Sequence, residues 1–103
     1  MQRMAAKPFY ADYVNHALRF YARNEKPPVF ESVSDKENYT CVSRVLSKID
    51  KTDAEILCDI FRRNDTLADN IYEVSKERNI NQDVIWTMLS KITYRIAKER
   101  GLV

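Results

Sequence analysis

From Val29 to Arg100 the chain contains neither glycine nor proline. So long a stretch without either residue supplies few of the tight turns a sheet protein needs, and it lets helices run. What punctuates the stretch instead is a series of helix-capping residues. Ser34-Asp35-Lys36-Glu37 and Thr52-Asp53-Ala54-Glu55 both have the form in which a hydroxyl accepts from the third amide of a helix while a carboxylate reaches back. Thr66 precedes Leu67 with Asp69 three residues on, and Asn81 precedes Gln82 with Asp83 in the first turn. A negative charge there meets the positive end of the helix dipole.

The apolar spacing agrees with these starts. Residues 8–23, PFYADYVNHALRFYAR, repeat apolar positions at intervals of three and four through Tyr10, Tyr13, Val14, Ala17, Leu18 and Tyr21. Pro8 suits the first turn of this helix, where its missing N–H is not needed. The segment 24–33 reads as a linker stopped by Pro27 and Pro28, with Val29 and Phe30 pinning its path to the core. Further helices are expected at about 35–49, 53–63, 67–78 and 82–99. Their stripes are Tyr39/Val42/Leu46/Ile49, Ile56/Leu57/Ile60/Phe61, Leu67/Ile71/Val74 and Ile85/Met88/Leu89/Ile92/Ile96. No segment alternates with period two, so no sheet is expected. The expectation is one all-α domain over 1–103 of about five helices, the helical core occupying 34–103 and the last three helices forming a helix-turn-helix bundle.

Composition bounds the function. The 17 basic and 15 acidic residues leave a net charge of +2, too little to announce a polyanion partner by itself. The charge is uneven along the chain, however. Asp50–Glu77 holds eight acids and four bases, whereas Arg78–Val103 holds five bases and two acids. Cys41 and Cys58 stand apart inside helical patterns, as two reduced thiols would, and His16 has no companion at metal-ligand spacing. Neither a metal nor a cofactor is expected, and no nucleophile motif or phosphate loop points to an enzyme. With no membrane-length apolar run and no signal-peptide core, the expectation is a cytoplasmic protein without a membrane partner.

The stretch VSKERNINQDVIWTML, residues 74–89, has the makings of a corner. Ser75 is small enough for two helices to cross closely. Asn79 tolerates the positive φ that ends a helix sharply, Ile80 can plug the corner, and Asn81 caps the next helix. With this corner at its centre, the stretch EILCDIFRRNDTLADNIYEVSKERNINQDVIWTMLSKITYRIAK resembles the region-four helix-turn-helix of sigma factors. It is also similar to phage-type and mobile-element transcription regulators of that architecture. The resemblance covers about the last half of the chain: a helix near the Lys51–Leu57 run, a scaffold helix, a turn and a recognition helix. Asn79 replaces the usual glycine, residues 64–70 make a longer connection, and Asp83 places an acid at the front of the recognition helix. The resemblance implies a DNA-binding transcription regulator, with double-stranded DNA as partner and RNA polymerase or another protein as a second one.

Within helix 82–99, side chains advance 100° per residue. Asp83, Thr87, Ser90, Lys91, Tyr94 and Lys98 fall opposite the apolar anchors; Gln82, Trp86 and Thr93 fall on one flank and Arg95 on the other. Placed in a major groove, Gln82, Trp86, Thr87 and Lys91 would reach base edges, and Tyr94, Arg95 and Lys98 would touch phosphates. The same pattern also describes a solvated helix face, and Trp86 suits packing against the aromatic first helix better than a base contact. A helical protein-interaction module with the same outline fits the weak net charge and Asp83. The aromatic first helix adds a surface on which two copies could pair as a homodimer.

Overall fold

The structure, a computed structural model, describes residues 8–24 and 29–103. The Pro27-Pro28 pair of the expected linker lies outside the described residues. Five helices run in chain order: α1 Ala11–Ala22, α2 Val33–Leu46, α3 Lys51–Arg62, α4 Leu67–Arg78 and α5 Gln82–Glu99. No strand occurs among the described residues, so the fold is all-α. No helix of the described residues is long and apolar enough to cross a membrane.

The capping chemistry sets the boundaries. α4 and α5 begin where expected: Thr66 Oγ1 accepts from the Asp69 amide, and Asn81 Oδ1 from the Asp83 amide. α2 and α3 each begin two residues earlier than the sequence suggested. Ser32, not Ser34, caps α2 by accepting from the Asp35 amide at 3.1 Å. Ser34 is thereby left inside the helix, where its hydroxyl lies 3.4 Å from that of Tyr13. Asp50, not Thr52, caps α3, its carboxylate accepting from the Thr52 amide at 2.8 Å. A charged acceptor at a helix N-terminus outcompetes a hydroxyl two residues on. α2 also ends sooner than 49, with Ser47 Oγ donating back to the Arg44 carbonyl, although Ile49 still packs on the core. Pro8 stands just before α1 rather than in its first turn, its carbonyl accepting from the Ala11 amide.

α1 packs on α2, α3 and α5; α4 bridges α3 and α5; and α2 closes against α5. One core joins Val14 and Leu18 of α1, Val42 and Val45 of α2, Leu57, Ile60 and Phe61 of α3, Ile71 and Val74 of α4, and Ile85, Ile92 and Ile96 of α5. Leu57 and Ile60 are wholly covered, so truncating either to Ala should cost roughly 2–5 kcal/mol. The aromatic side of α1 divides. Phe20 and Tyr21 join Phe30 and Tyr39 in a ring cluster, with Phe30 5.5 Å from Tyr39, so Phe30 does hold the linker's exit. Val29 does not, being 96% exposed. Tyr13 is not core either. Its hydroxyl donates to Asn38 Oδ1 and accepts from Arg100 Nη2, and Arg100 Nε donates to the same Asn38 oxygen at 2.6 Å. That cluster ties α1 and α2 to the end of α5.

Candidate nucleic-acid interface

The interface candidate depends on how α4 and α5 meet. α4 ends at Asn79, whose φ of 54° and ψ of 49° put it in the left-handed region. The Ile80 amide donates to the Ser75 carbonyl at 2.9 Å and the Asn79 amide to the Lys76 carbonyl at 3.3 Å. These paired bonds satisfy carbonyls the helix end would otherwise leave open. Ile80 is half-buried against the core, and Ser75 is buried with its hydroxyl donating to the Tyr72 carbonyl. Each residue at this corner has the role its type suggested.

The other end of α4 is held by side chains. Asn70 is buried, and its Nδ2 donates to the carbonyls of Ile60, Arg63 and Asp65 at 3.0–3.3 Å. It therefore clasps the open end of α3 and orders the connection. Arg63 grips Glu77 with two bonds, at 2.6 and 3.0 Å, and Asp59 with two more; Arg78 reaches Asp59 at 3.4 Å. Burial pushes the Asp59 carboxyl up, but the Arg63 and Arg78 guanidiniums outweigh it and hold it below its ordinary range. The hydrogen bonds from Arg63 do the same for Glu77.

α5 presents two unlike surfaces. Ile85, Leu89, Ile92, Thr93, Ile96 and Ala97 are buried, Thr93 through a hydroxyl donated to the Leu89 carbonyl at 2.6 Å. Opposite them Thr87, Lys91, Tyr94 and Lys98 are exposed, and so is Arg95 on the flank. Tyr94 is 48% exposed, so its ring lies on the surface and not in the core. Lys91, Arg95 and Lys98 make no ion pair among the described residues, whereas Arg44, Arg63, Arg78 and Arg100 each meet a carboxylate. Gln82 and Trp86 sit apart from this group. Both are half-buried; Trp86 packs on the core and lines an apolar groove with Pro8, Tyr10 and Leu67, on the side of the first helix.

Two neighbours of the face are not among the residues the sequence singled out. Tyr72 of α4 is half-exposed with the Lys76 ammonium 5.1 Å above its ring, in a cleft it shares with Gln82 and Trp86. Val84 is 58% exposed in the first turn of α5. The 100° step already places Val84 off the anchor stripe, so its exposure is legible. The Tyr72–Lys76 pair is also legible, since residues four apart meet on one face of a helix.

The described residues contain no group of His, Cys, Asp and Glu arranged to hold a metal. Burial pushes the Cys41 and Cys58 thiols up, away from the reactive thiolate. No family model matches the chain, and no curated protein or solved structure matches it.

Proposed function

We propose that the chain binds double-stranded DNA through the exposed face of α5 and acts as a cytoplasmic transcription regulator of a bacterium, phage or mobile element. In this reading α4 is the scaffold helix, the Asn79 corner is the turn, and α5 enters the major groove. The observation that carries it is the run of Lys91 and Lys98 on the face opposite the core with Arg95 on its flank, all three exposed and without carboxylate partners among the described residues. Their spacing spreads three charges over about 10 Å of helix, a run able to meet successive phosphates. Tyr94 lies among them with a hydroxyl that can donate to a phosphate oxygen.

Fluorescence anisotropy with a labelled random-sequence duplex tests the reading. Three neutralised phosphates give a slope of roughly −2.7 in log affinity against log salt. Affinity should therefore fall roughly 40-fold between 50 and 200 mM salt. A complex of unchanged affinity across that range, or none at low salt, would exclude it.

A protein-interaction module is the second reading, favoured by the apolar groove beside Trp86 and by Phe9, which is 80% exposed beside Pro8 of that groove. RNA polymerase or a second copy of the chain would be partners of this kind. Such a contact would barely respond to salt, so the same titration separates the two readings.

A further inference from the structure

Of the first two turns of α5, Asp83, Val84 and Thr87 reach solvent on the side of the free cations, while Gln82 and Trp86 are half-buried on the opposite flank. Val84 is the unexpected member, a large aliphatic side chain exposed on a helix whose other aliphatic residues are covered or partly covered. It shares a shallow groove with Thr87, Met88 and Ile49, and Lys91 and Arg95 line the same groove. Seven residues separate Val84 from Lys91, about 10 Å along a helix axis. Along α5 the groove therefore offers Asp83 and apolar surface first and two cations further on.

A DNA duplex presents the matching pair of features. The thymine 5-methyl is the apolar group that base edges show in the major groove, and phosphates line the groove's walls. We propose that Val84 and the Thr87 methyl read thymine through its 5-methyl group while Lys91 and Arg95 hold the adjacent phosphates; this rests on the DNA-binding reading above. Of the base-reading set expected from the sequence, Gln82, Trp86, Thr87 and Lys91, it keeps Thr87, adds Val84, gives Lys91 to a phosphate and leaves Gln82 and Trp86 out. Asp53 and Asp83 also line the groove. Asp83 lies eight residues before Lys91, about 12 Å up the axis. A carboxylate there repels phosphate and accepts from a base amine such as cytosine N4, which fixes the polarity of α5 in the groove: bases at Asp83 and Val84, phosphates at Lys91 and Arg95.

The test selects duplexes from a random library with the full chain. Anisotropy then compares the selected site with a copy carrying deoxyuridine, which lacks the 5-methyl, in place of each thymine. Wild type should bind the deoxyuridine copy about fourfold more weakly for each methyl it buries. Val84→Ala, with helicity unchanged, should discriminate less than wild type, and Val84→Ala/Thr87→Ser, which removes both apolar contacts, should bind both copies alike. Equal wild-type affinity for the two copies, with salt-sensitive binding intact, would overturn the methyl contact and leave the DNA reading standing. A Val84→Ala protein that discriminates as strongly as wild type would remove Val84 from recognition. Absence of duplex binding at low salt would overturn the inference together with the reading it rests on.

Discussion

The two corners that flank α4 solve the same problem with different chemistry. Between α3 and α4 the open carbonyls are met by a side chain, Asn70, and the helices are held by Arg63 between Asp59 and Glu77. Between α4 and α5 they are met by backbone amides, at the cost of a left-handed residue at Asn79. The first corner depends on particular side chains and their ionisation. The second depends on backbone conformation and on the uncharged cap Asn81. The contrast extends to the charges: Arg63 at the first corner is paired with Asp59 and Glu77, while Lys91, Arg95 and Lys98 beyond the second are exposed and make no ion pair among the described residues.

Disrupting the first corner should have the largest effect. Asn70→Ala leaves the carbonyls it serves without a donor in a buried place, which should cost roughly 2–3 kcal/mol. In a domain of this size that lowers the thermal midpoint by on the order of 10 °C, read by circular dichroism. The second corner should respond to backbone preference instead. Asn79→Val forces a β-branched residue into the left-handed region and should cost roughly 1–2 kcal/mol. Asn79→Gly, which adopts that conformation freely, should be neutral or stabilising by a few tenths of a kcal/mol, about the margin of the measurement.

Acid should separate the corners further. Asp59 and Glu77 are held below their ordinary ranges because Arg63, joined by Arg78 at Asp59, favours their charged forms. The stability they contribute is present above the unfolded-state values, about pH 4, and is lost as pH falls through the depressed ones. Amide hydrogen exchange at Asn70 should therefore speed up relative to Ile80 as pH drops from 6 towards 3, after correction for intrinsic rates. The Ile80 bond to the Ser75 carbonyl involves no titrating group, so it should hold. Parallel loss of protection at both amides would show that the corners do not melt separately.

The same contrast explains what could be read from the sequence. α4, α5 and their turn were legible because Thr66, Asn79, Ile80 and Asn81 act locally, on amides and carbonyls a few residues away. α2 and α3 were misplaced by two residues because each start offered two competing caps, Ser32 or Ser34 and Asp50 or Thr52, and position alone does not rank them. The part Asn70 plays could not be read, because its partners lie five to ten residues back, at the end of α3 and in the connection that follows. Tyr13 fitted the apolar stripe by spacing but is drawn to Arg100, far along the chain, by a hydrogen bond no periodicity reports. On α5, the exposed positions of Thr87, Lys91, Tyr94, Arg95 and Lys98 followed from the 100° step. The packing of Trp86 on the side of α1 was legible too, whereas the half-burial of Gln82 depends on the cleft it shares with α4.

If the cations of α5 serve a partner and those around the first corner serve the fold, the two sets should separate on mutation. Lys91→Ala/Arg95→Ala/Lys98→Ala and Arg63→Ala, each measured for duplex binding at low salt and for thermal midpoint, decide this. The triple variant should lose binding with its midpoint within a few degrees of wild type, because exposed unpaired charges contribute little to stability. Arg63→Ala should melt earlier yet bind DNA as wild type does at temperatures where it is folded. A triple variant that binds as tightly as wild type would contradict this division of labour, and α4–α5 would then be a structural corner whose partner must be sought at the groove beside Trp86.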